Sequence, residues 1–302
     1  MLLAVFLVGC SPATPPPASV DQTQTALGPV IEATPARATR MPDEAAEIRN
    51  AEYELGATDR LQVVQLTEGK FEQGVPGSED FVSVSLTDFV AVGDLDADGT
   101  DEIAALVSEN YGGTGVFVFL AVYSKVNGAF TFQTSSGVDD RPQLNVLSIE
   151  NNEIFLDAVI HGTDEPMCCP TLRTMRHYRW VDTQLDRIDY TTFTADGKPR
   201  TITIESPADG TEVFTSVSIK GNVAIAPFEN NLVYRIFDIS GIELSAGALA
   251  VSAPDLGAPG TFDAIIPLGS ILSGTIIRIE VQDLSAADGS LLAMDSVELV
   301  VK

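Results

Sequence analysis

The sequence predicts a mainly β fold, with a β-rich N-terminal domain followed by a second β domain. From about residue 61 to 190, short apolar alternations such as FVSVSL and GVFVFLAVY are separated by turn-forming glycine, asparagine and aspartate residues. Residues 201–302 then carry seven candidate strands at regular intervals. A chain of 302 residues, 45% of them hydrophobic, is long enough to bury a core in each domain.

The chain begins with an apolar run, MLLAVFLVGC, that ends at Cys10. Its last four residues resemble the lipobox of bacterial lipoproteins. The resemblance implies that residues 1–10 are a lipoprotein signal with its lipobox and that Cys10 carries a lipid anchor after export. We therefore expect an extracytoplasmic protein on the bacterial cell membrane or the cell surface. An ordinary signal peptide with Cys10 incidental is the alternative. No Lys or Arg precedes the run, although a signal peptide normally has one there, which points to a misplaced start codon or a clipped chain.

A tether and a short helix are predicted between the signal and the first sheet. Residues 11–42 are rich in proline, alanine and threonine without a sustained apolar period, which predicts a disordered tether. The next stretch, DEAAEIRNAEYEL, holds good helix formers after a capping Asp43, so we expect one helix of two or three turns. The domain boundaries that follow are 43–193 for the β-rich domain, 194–200 for a linker and 201–302 for the second domain.

The second domain is predicted to be an immunoglobulin-like β-sandwich, because seven strands in about 100 residues suit that fold. It contains no cysteine, and the only tryptophan of the chain, Trp180, lies outside it. Its core therefore has to be aliphatic and aromatic without the disulfide of antibody domains. The expected core residues are Ile202, Ile204, Val213, Ile219, Val233, Ile236, Phe262, Ile266, Ile277, Ile279, Val281, Val297 and Leu299.

The same region resembles a known family along nearly all of its length. The segments ITIESPADGTEVFTSVSIKGNV, FENNLVYRIFDISGIEL, GAPGTFDAIIPL and DLSAADGSLLAMDSVELVV are similar, in order and spacing, to the immunoglobulin-like domain of bacterial spore germination proteins. In that family the domain is an accessory module of envelope proteins, and no catalysis is attributed to it. The resemblance implies a surface module that binds or spaces, without implying a role in germination.

The loop VGDLDADGTDEIAALV contains the strongest candidate for a metal site. Acidic residues alternate along it, a glycine permits a sharp turn, and strand-like runs flank it, a pattern that resembles the calcium loop of FG-GAP-type repeats. The resemblance implies structural Ca²⁺, while an acidic β-turn without metal is the alternative. Only one copy is present, so a propeller is not predicted. The candidate ligands are Asp94, Asp96, Asp98, the backbone carbonyl of Thr100, and Glu102.

A second singular stretch, HGTDEPMCCPT, contains the adjacent residues Cys168 and Cys169. An exported protein meets an oxidising compartment, so a disulfide between these neighbours is one interpretation. Free or intermolecular thiols are another, and a metal site completed by His161 and His177 is a third. Adjacent cysteines rarely chelate one ion well, which disfavours the metal interpretation.

Charge limits the partners of this protein. The chain has 17 Lys and Arg residues against 43 Asp and Glu residues, a formal net charge of −26. Such a field repels phosphate backbones, so we expect no nucleic-acid partner, and it favours divalent cations and basic partners. The alternative explanation for the excess of acidic residues is that it keeps an exposed protein soluble.

Taken together, these features favour a non-catalytic, lipid-anchored cell-envelope protein that acts as a binding or scaffold module. Its expected partners are the membrane, through the lipid on Cys10, and an envelope protein or glycan. The glycine loop near residue 112 lacks the lysine of a phosphate-binding loop, and neither histidine has a nucleophile in an esterase-like context. The alternative is an extracytoplasmic enzyme or redox protein with its site in residues 94–177.

Overall fold

The structure is a computed structural model that describes residues 44–57, 62–181, 183–269 and 271–302. The predicted signal, the predicted lipidation site Cys10, the predicted tether and the predicted cap Asp43 lie outside these residues. None of the described helices is long and apolar enough to cross a membrane.

The described chain is almost entirely β, which confirms the predicted fold class. The N-terminal strands are β1 (Glu52–Glu54), β2 (Val63–Gln65), β3 (Lys70–Gln73), β4 (Val82–Gly93), β5 (Glu102–Asn110), β6 (Phe117–Val126), β7 (Ala129–Asp140), β8 (Gln143–Glu150), β9 (Glu153–Ile160), β10 (Leu172–Val181), β11 (Gln184–Phe193) and β12 (Pro199–Arg200). The C-terminal strands are β13 (Ile202–Ser206), β14 (Thr211–Val213), β15 (Ser216–Val223), β16 (Asn231–Asp238), β17 (Glu243–Ala250), β18 (Gly260–Pro267), β19 (Ile276–Leu284) and β20 (Leu291–Val301). Two short 3-10 helices, Glu44–Asn50 and Phe228–Asn230, complete the elements.

The strands of the described residues form four sheets. β1 and β2 make a small antiparallel pair, and β3 to β7 make a five-stranded antiparallel sheet in chain order. β13, β15 and β18 make a three-stranded sheet. The largest sheet runs in the order β17-β16-β19-β20-β11-β10-β9-β8, with β12 attached to β11 and β14 attached in parallel to β20.

The largest sheet passes through both of the domains predicted from the sequence. Antiparallel pairing of β11 with β20 joins them, with Asp189 opposite Asp295, Tyr190 opposite Met294 and Thr191 opposite Ala293. We call this pairing the seam. Part of the predicted linker, 194–200, is β12, which folds back onto β11. The two regions are therefore tied by backbone hydrogen bonds.

The predicted helix of two or three turns is present as a seven-residue 3-10 helix, which ends at Asn50. Ala45 and Ile48 are both buried, and their spacing of three suits the three residues per turn of a 3-10 helix. Tyr53 and Leu55 are also buried, with a less buried residue between them. That period of two requires a strand, so the segment switches to β1.

Two cores sandwich the five-stranded sheet. β5 is buried on both faces because its residues are apolar in succession. Ile103, Ala105 and Val107 join the core beneath the first 3-10 helix and β1. Ala104 and Leu106 join the opposite core, which packs against β9 and β10.

The C-terminal sandwich has the core that the sequence predicts, with two differences. Ile204 is only partly buried against it, and Val233 is not part of it. The prediction for Val233 was wrong because Leu232 and Ile236 are the buried residues of β16. Adjacent strand residues point to opposite faces, so Val233 faces away from the core.

Candidate functional site

The acidic loop connects two long neighbouring strands of the five-stranded sheet. β4 ends at Gly93 and β5 begins at Glu102. Ala97 and Gly99 both adopt left-handed backbone conformations, with φ of 62° and 86°. Glycine is suited to that conformation, whereas it is uncommon for alanine. Leu95 is buried in the core shared with β9 and β10, which fixes the start of the loop.

The structure brings together three of the five predicted metal ligands. One carboxylate oxygen from each of Asp94, Asp96 and Glu102 lies within 4.8 Å of the others. Asp98 is outside this group, and its Oδ1 accepts the backbone N–H of Thr100 at 2.7 Å. Thr100 itself is exposed. Across the described ranges, this is the one histidine, cysteine and carboxylate group close enough to share an ion.

Hydrogen bonds satisfy part of the three-carboxylate group and leave one buried oxygen over. Asp94 Oδ2 accepts the N–H of Gly99 at 3.0 Å, whereas Asp94 Oδ1 is buried without a hydrogen-bond partner. Glu102 is 2% exposed, and its Oε2 accepts the N–H of Leu95 at 2.8 Å. Burying a carboxylate oxygen without a partner costs free energy, and a bound cation would offset that cost.

Burial raises the pKa of Glu102, and the negative charges of the neighbouring aspartates raise it further. The Leu95 N–H partly offsets this rise. Hard oxygen ligands in a wrapped loop suit Ca²⁺, which takes about six to eight oxygens. The residues present therefore fit part of a Ca²⁺ coordination set, with Asp94, Asp96 and Glu102 as the ligands that the geometry supports.

The cysteine loop is exposed and does not assemble with the histidines. The Sγ atoms of Cys168 and Cys169 face each other, and a disulfide between them stays a prediction. His161 Nδ1 lies 3.0 Å from Asp139 Oδ2, and His177 Nδ1 lies 3.3 Å from Glu153 Oε2. Each imidazole thus has a carboxylate partner of its own.

One end of the C-terminal sandwich exposes an apolar surface beside an open cleft of about 490 Å³. Leu244 and Leu272 line the cleft, and both are exposed. Ile239, Ile242 and Ile276 are exposed in the same turns and strand ends. Large apolar side chains exposed together are typical of interaction surfaces.

Comparison with known proteins assigns this sandwich. Residues 201–290 match the family model described as the immunoglobulin-like domain of bacterial spore germination. The resemblance predicted from the sequence is thereby confirmed for this region, and we call residues 201–302 the immunoglobulin-like domain. No curated protein matches the chain. The lipoprotein signal and the calcium loop stay predictions.

A cleft of about 420 Å³ lies where the immunoglobulin-like domain meets the N-terminal region, and we call it the junction cleft. Asp189 and Asp295, the opposed pair at the seam, both line it. Burial raises the pKa of Asp189 to about 7 and that of Asp295 to about 6. Arg179 bridges the same boundary, since it pairs with Glu153 on one side and with Asp209 on the other.

No sequence pattern predicted the junction cleft, because its two aspartates come from strands that are distant in the chain. A second buried carboxylate, Glu109, was also missed. Tyr53 Oη and the Gly56 N–H donate to its Oε1 at 2.6 and 2.8 Å, and Tyr111 Oη and the Ala57 N–H donate to its Oε2 at 2.6 and 3.1 Å. A glutamate inside the buried run of β5 was the signal available.

Proposed function

We propose that this protein is a non-catalytic, lipid-anchored component of the bacterial cell envelope that binds or spaces other envelope molecules. The match of residues 201–290 to the immunoglobulin-like family carries the proposal, because such a domain suggests a binding module. The seam supports it further. Backbone pairing of β11 with β20 holds the domain in a fixed relation to the N-terminal region, as a platform requires.

The anchor and the tether would present this platform away from the membrane. The lipid on Cys10 would hold the chain at the membrane, and residues 11–42 would span the distance to the described fold. Expression of the full chain in a bacterium, followed by detergent phase partition and mass spectrometry, tests this part. We expect the wild-type chain in the detergent phase with an acylated Cys10, and Cys10→Ala in the aqueous phase. A wild-type chain in the aqueous phase would reject the anchor.

The acidic loop would steady the N-terminal region by binding Ca²⁺. Asp94, Asp96 and Glu102 would hold the ion, with backbone carbonyls or water completing its shell. Bound Ca²⁺ would neutralise three carboxylates that meet at the open end of β4 and β5, and it would thereby favour the folded loop. Its role in this proposal is structural.

A second candidate, an extracytoplasmic hydrolase, is favoured by one observation. The junction cleft contains two carboxyl groups with raised pKa values beside the His177 and Glu153 pair, an environment that acid–base catalysis uses. Assays on ester, glycoside and peptide substrates distinguish the candidates. Turnover that disappears in Asp189→Asn would support the enzyme, and no turnover supports the binding module.

A further inference from the structure

β17 is the outermost strand of the largest sheet, and its edge is regular from Ser245 onward. It pairs with β16 and, among the described strands, with no other. The ladder runs without interruption from Ser245 to Ala250. A free strand edge presents unpaired N–H and C=O groups that can pair with another chain.

The register shows which backbone groups of β17 are free. The Val251 N–H donates to the Asn230 carbonyl at 2.8 Å, just beyond the ladder. Residues of an antiparallel strand alternate between hydrogen-bonded and non-hydrogen-bonded positions. Because the Val251 N–H points towards β16, every second residue before it does the same, and the residues between them point the other way. The N–H and C=O groups of Ala248 and Ala246 therefore point away from β16. Both residues are exposed.

Two other sheet edges are protected in ways that β17 is not. β3 is four residues long and begins with Lys70, and β18 ends with Pro267. β17 has one register shift of its own, at Leu244, and its ladder with β16 is continuous beyond that residue. Residues 243–250, ELSAGALA, contain no lysine and no proline. Natural proteins use lysine and proline at strand edges to prevent unwanted strand addition, so the absence of both from β17 marks an edge open to pairing.

The open cleft adjoins this edge where β17 begins. Leu244 and Ser245 of β17 form one wall, and Leu268 and Leu272 lie on the other side. A strand added to β17 would run past the cleft, and one of its apolar side chains could enter. Backbone pairing would supply affinity and the cleft would supply selectivity, as in other cases of β-strand addition.

Charge decides which occupant fits. The immunoglobulin-like domain has 13 acidic and four basic residues, and the whole chain has a net charge of −26. Two copies of this chain would repel each other, whereas a basic segment would be attracted. Glu243, the one charged residue of β17, already pairs with Arg235 at 2.5 Å. The edge therefore offers a neutral ladder within an acidic surface.

We propose that β17 is a docking strand: an extended segment of a partner protein, rich in basic and apolar residues, pairs with its free edge and places an apolar side chain in the cleft. This inference rests on the proposed function as a binding module, and it names the site and the chemistry of the partner.

Selection from a displayed library of octapeptides, matching the eight residues of β17, tests the proposal on the full chain. The most enriched peptide is labelled, and its dissociation constant is measured by fluorescence polarisation against variants of the chain. Ala248→Pro removes an outward N–H and leaves the pairing with β16 intact. Ala248→Val keeps that N–H and serves as the matched control. Leu272→Ser truncates an exposed side chain of the cleft without touching a core.

We expect an enriched peptide with alternating apolar and basic residues that binds Ala248→Pro about tenfold more weakly than the wild type. Ala248→Val should bind within about twofold of the wild type, and Leu272→Ser should bind severalfold more weakly. A peptide N-methylated at alternate residues should not bind, which tests the edge even if Ala248→Pro fails to fold. Raised salt should weaken binding.

Three outcomes would overturn the docking strand: no enriched peptide, a peptide that binds Ala248→Pro and Leu272→Ser as it binds the wild type, or loss of self-association in Ala248→Pro during sedimentation. The last would make a second copy the occupant. A peptide that binds elsewhere leaves the binding-module function standing, whereas turnover on the substrate panel rejects that function independently of β17.

Discussion

Asp189 of β11 and Asp295 of β20 lie directly opposite each other at the seam where the immunoglobulin-like domain joins the N-terminal region. Burial is the main cause of the raised pKa of each, and the nearby negative charges of Glu153 and, for Asp189, of Asp295 add to it. Two buried carboxyl groups placed together in this way make the stability of the seam sensitive to pH.

The first prediction concerns that sensitivity. A carboxyl group with a pKa of about 7 when folded and about 4 when unfolded binds more protons in the folded state between those values. Its burial therefore destabilises the fold progressively as the pH rises from about 4 to about 7. Asp189→Asn removes this cost. We expect it to raise the stability by about 2 kcal/mol at pH about 8, or a few degrees of melting temperature, and to change little at pH about 4.

Thermal unfolding followed by circular dichroism across pH checks this prediction, with the exposed Asp164→Asn as the control. A variant Asp189→Asn that melts below the wild type at pH about 8 would show that the carboxylate form stabilises the seam. That result would contradict the effect of burial described above.

The second prediction concerns calcium. Asp96→Ala and Glu102→Gln should abolish Ca²⁺ binding in calorimetric titration, because both residues belong to the three-carboxylate group. Asp98→Ala should weaken binding far less, because Asp98 lies outside the group and bonds within the loop. At a hundredfold excess over the dissociation constant, Ca²⁺ should stabilise the wild type by about 2.7 kcal/mol.

Asp98→Ala is the matched control for the calcium site, since it removes an equal charge two residues away. Equal loss of binding in Asp96→Ala and Asp98→Ala would indicate that Asp98 also coordinates the ion. No heat and no shift in melting temperature at millimolar Ca²⁺ would identify the loop as an acidic turn.

The third prediction concerns the buried Glu109, which is 0% exposed and accepts four hydrogen bonds. Three of the donors belong to Tyr53, Gly56 and Ala57, so Glu109 ties the start of the described chain to β5. In Glu109→Gln an amide NH₂ group replaces one acceptor oxygen and faces the N–H and O–H donors. We expect the free energy of unfolding, measured in urea, to fall by about 2–3 kcal/mol. Tyr53→Phe should cost about 1–2 kcal/mol.

Exposed Glu79→Gln is the control for Glu109, because it makes the same chemical change at the surface. Limited proteolysis adds a local readout. Glu109→Gln should be cut faster near residues 56 and 57 than the wild type, since those backbone groups lose their acceptor. An unchanged cleavage rate and unchanged stability would mean that Glu109 does not hold this segment.

The fourth prediction concerns Gly221 of β15. A Cβ at this position would lie 2.0 Å from the Thr203 carbonyl oxygen and 2.4 Å from the Phe262 ring. Backbone cannot move aside without breaking the β13–β15 pairing, so we expect Gly221→Ala to destabilise the immunoglobulin-like domain by about 3 kcal/mol. Gly241→Ala, which would meet nothing within 4 Å but has a positive φ, should cost only about 1 kcal/mol. Similar costs for both would contradict the close approach.

Sequence periodicity predicted the strands well, because burial of one face of a sheet imposes a period of two. It located the core of the sandwich apart from the partly buried Ile204 and from Val233, since Leu232 and Ile236 are the buried residues of β16. It placed Asp94, Asp96 and Glu102 in one loop because that site is local in the chain. Sequence periodicity did not predict the seam, because the pairing of β11 with β20 depends on tertiary packing that no local pattern encodes.

We propose that this protein binds other molecules without catalysing a reaction, and that Ca²⁺ acts only on the stability of its fold. The most direct test measures turnover of the ester, glycoside and peptide panel by the full chain in millimolar Ca²⁺, with melting temperature recorded on the same samples. We predict a higher melting temperature with Ca²⁺ and no turnover. Two results would contradict this proposal. One is turnover that requires Ca²⁺ and is lost in Glu102→Gln, and the other is turnover that is lost in Asp189→Asn.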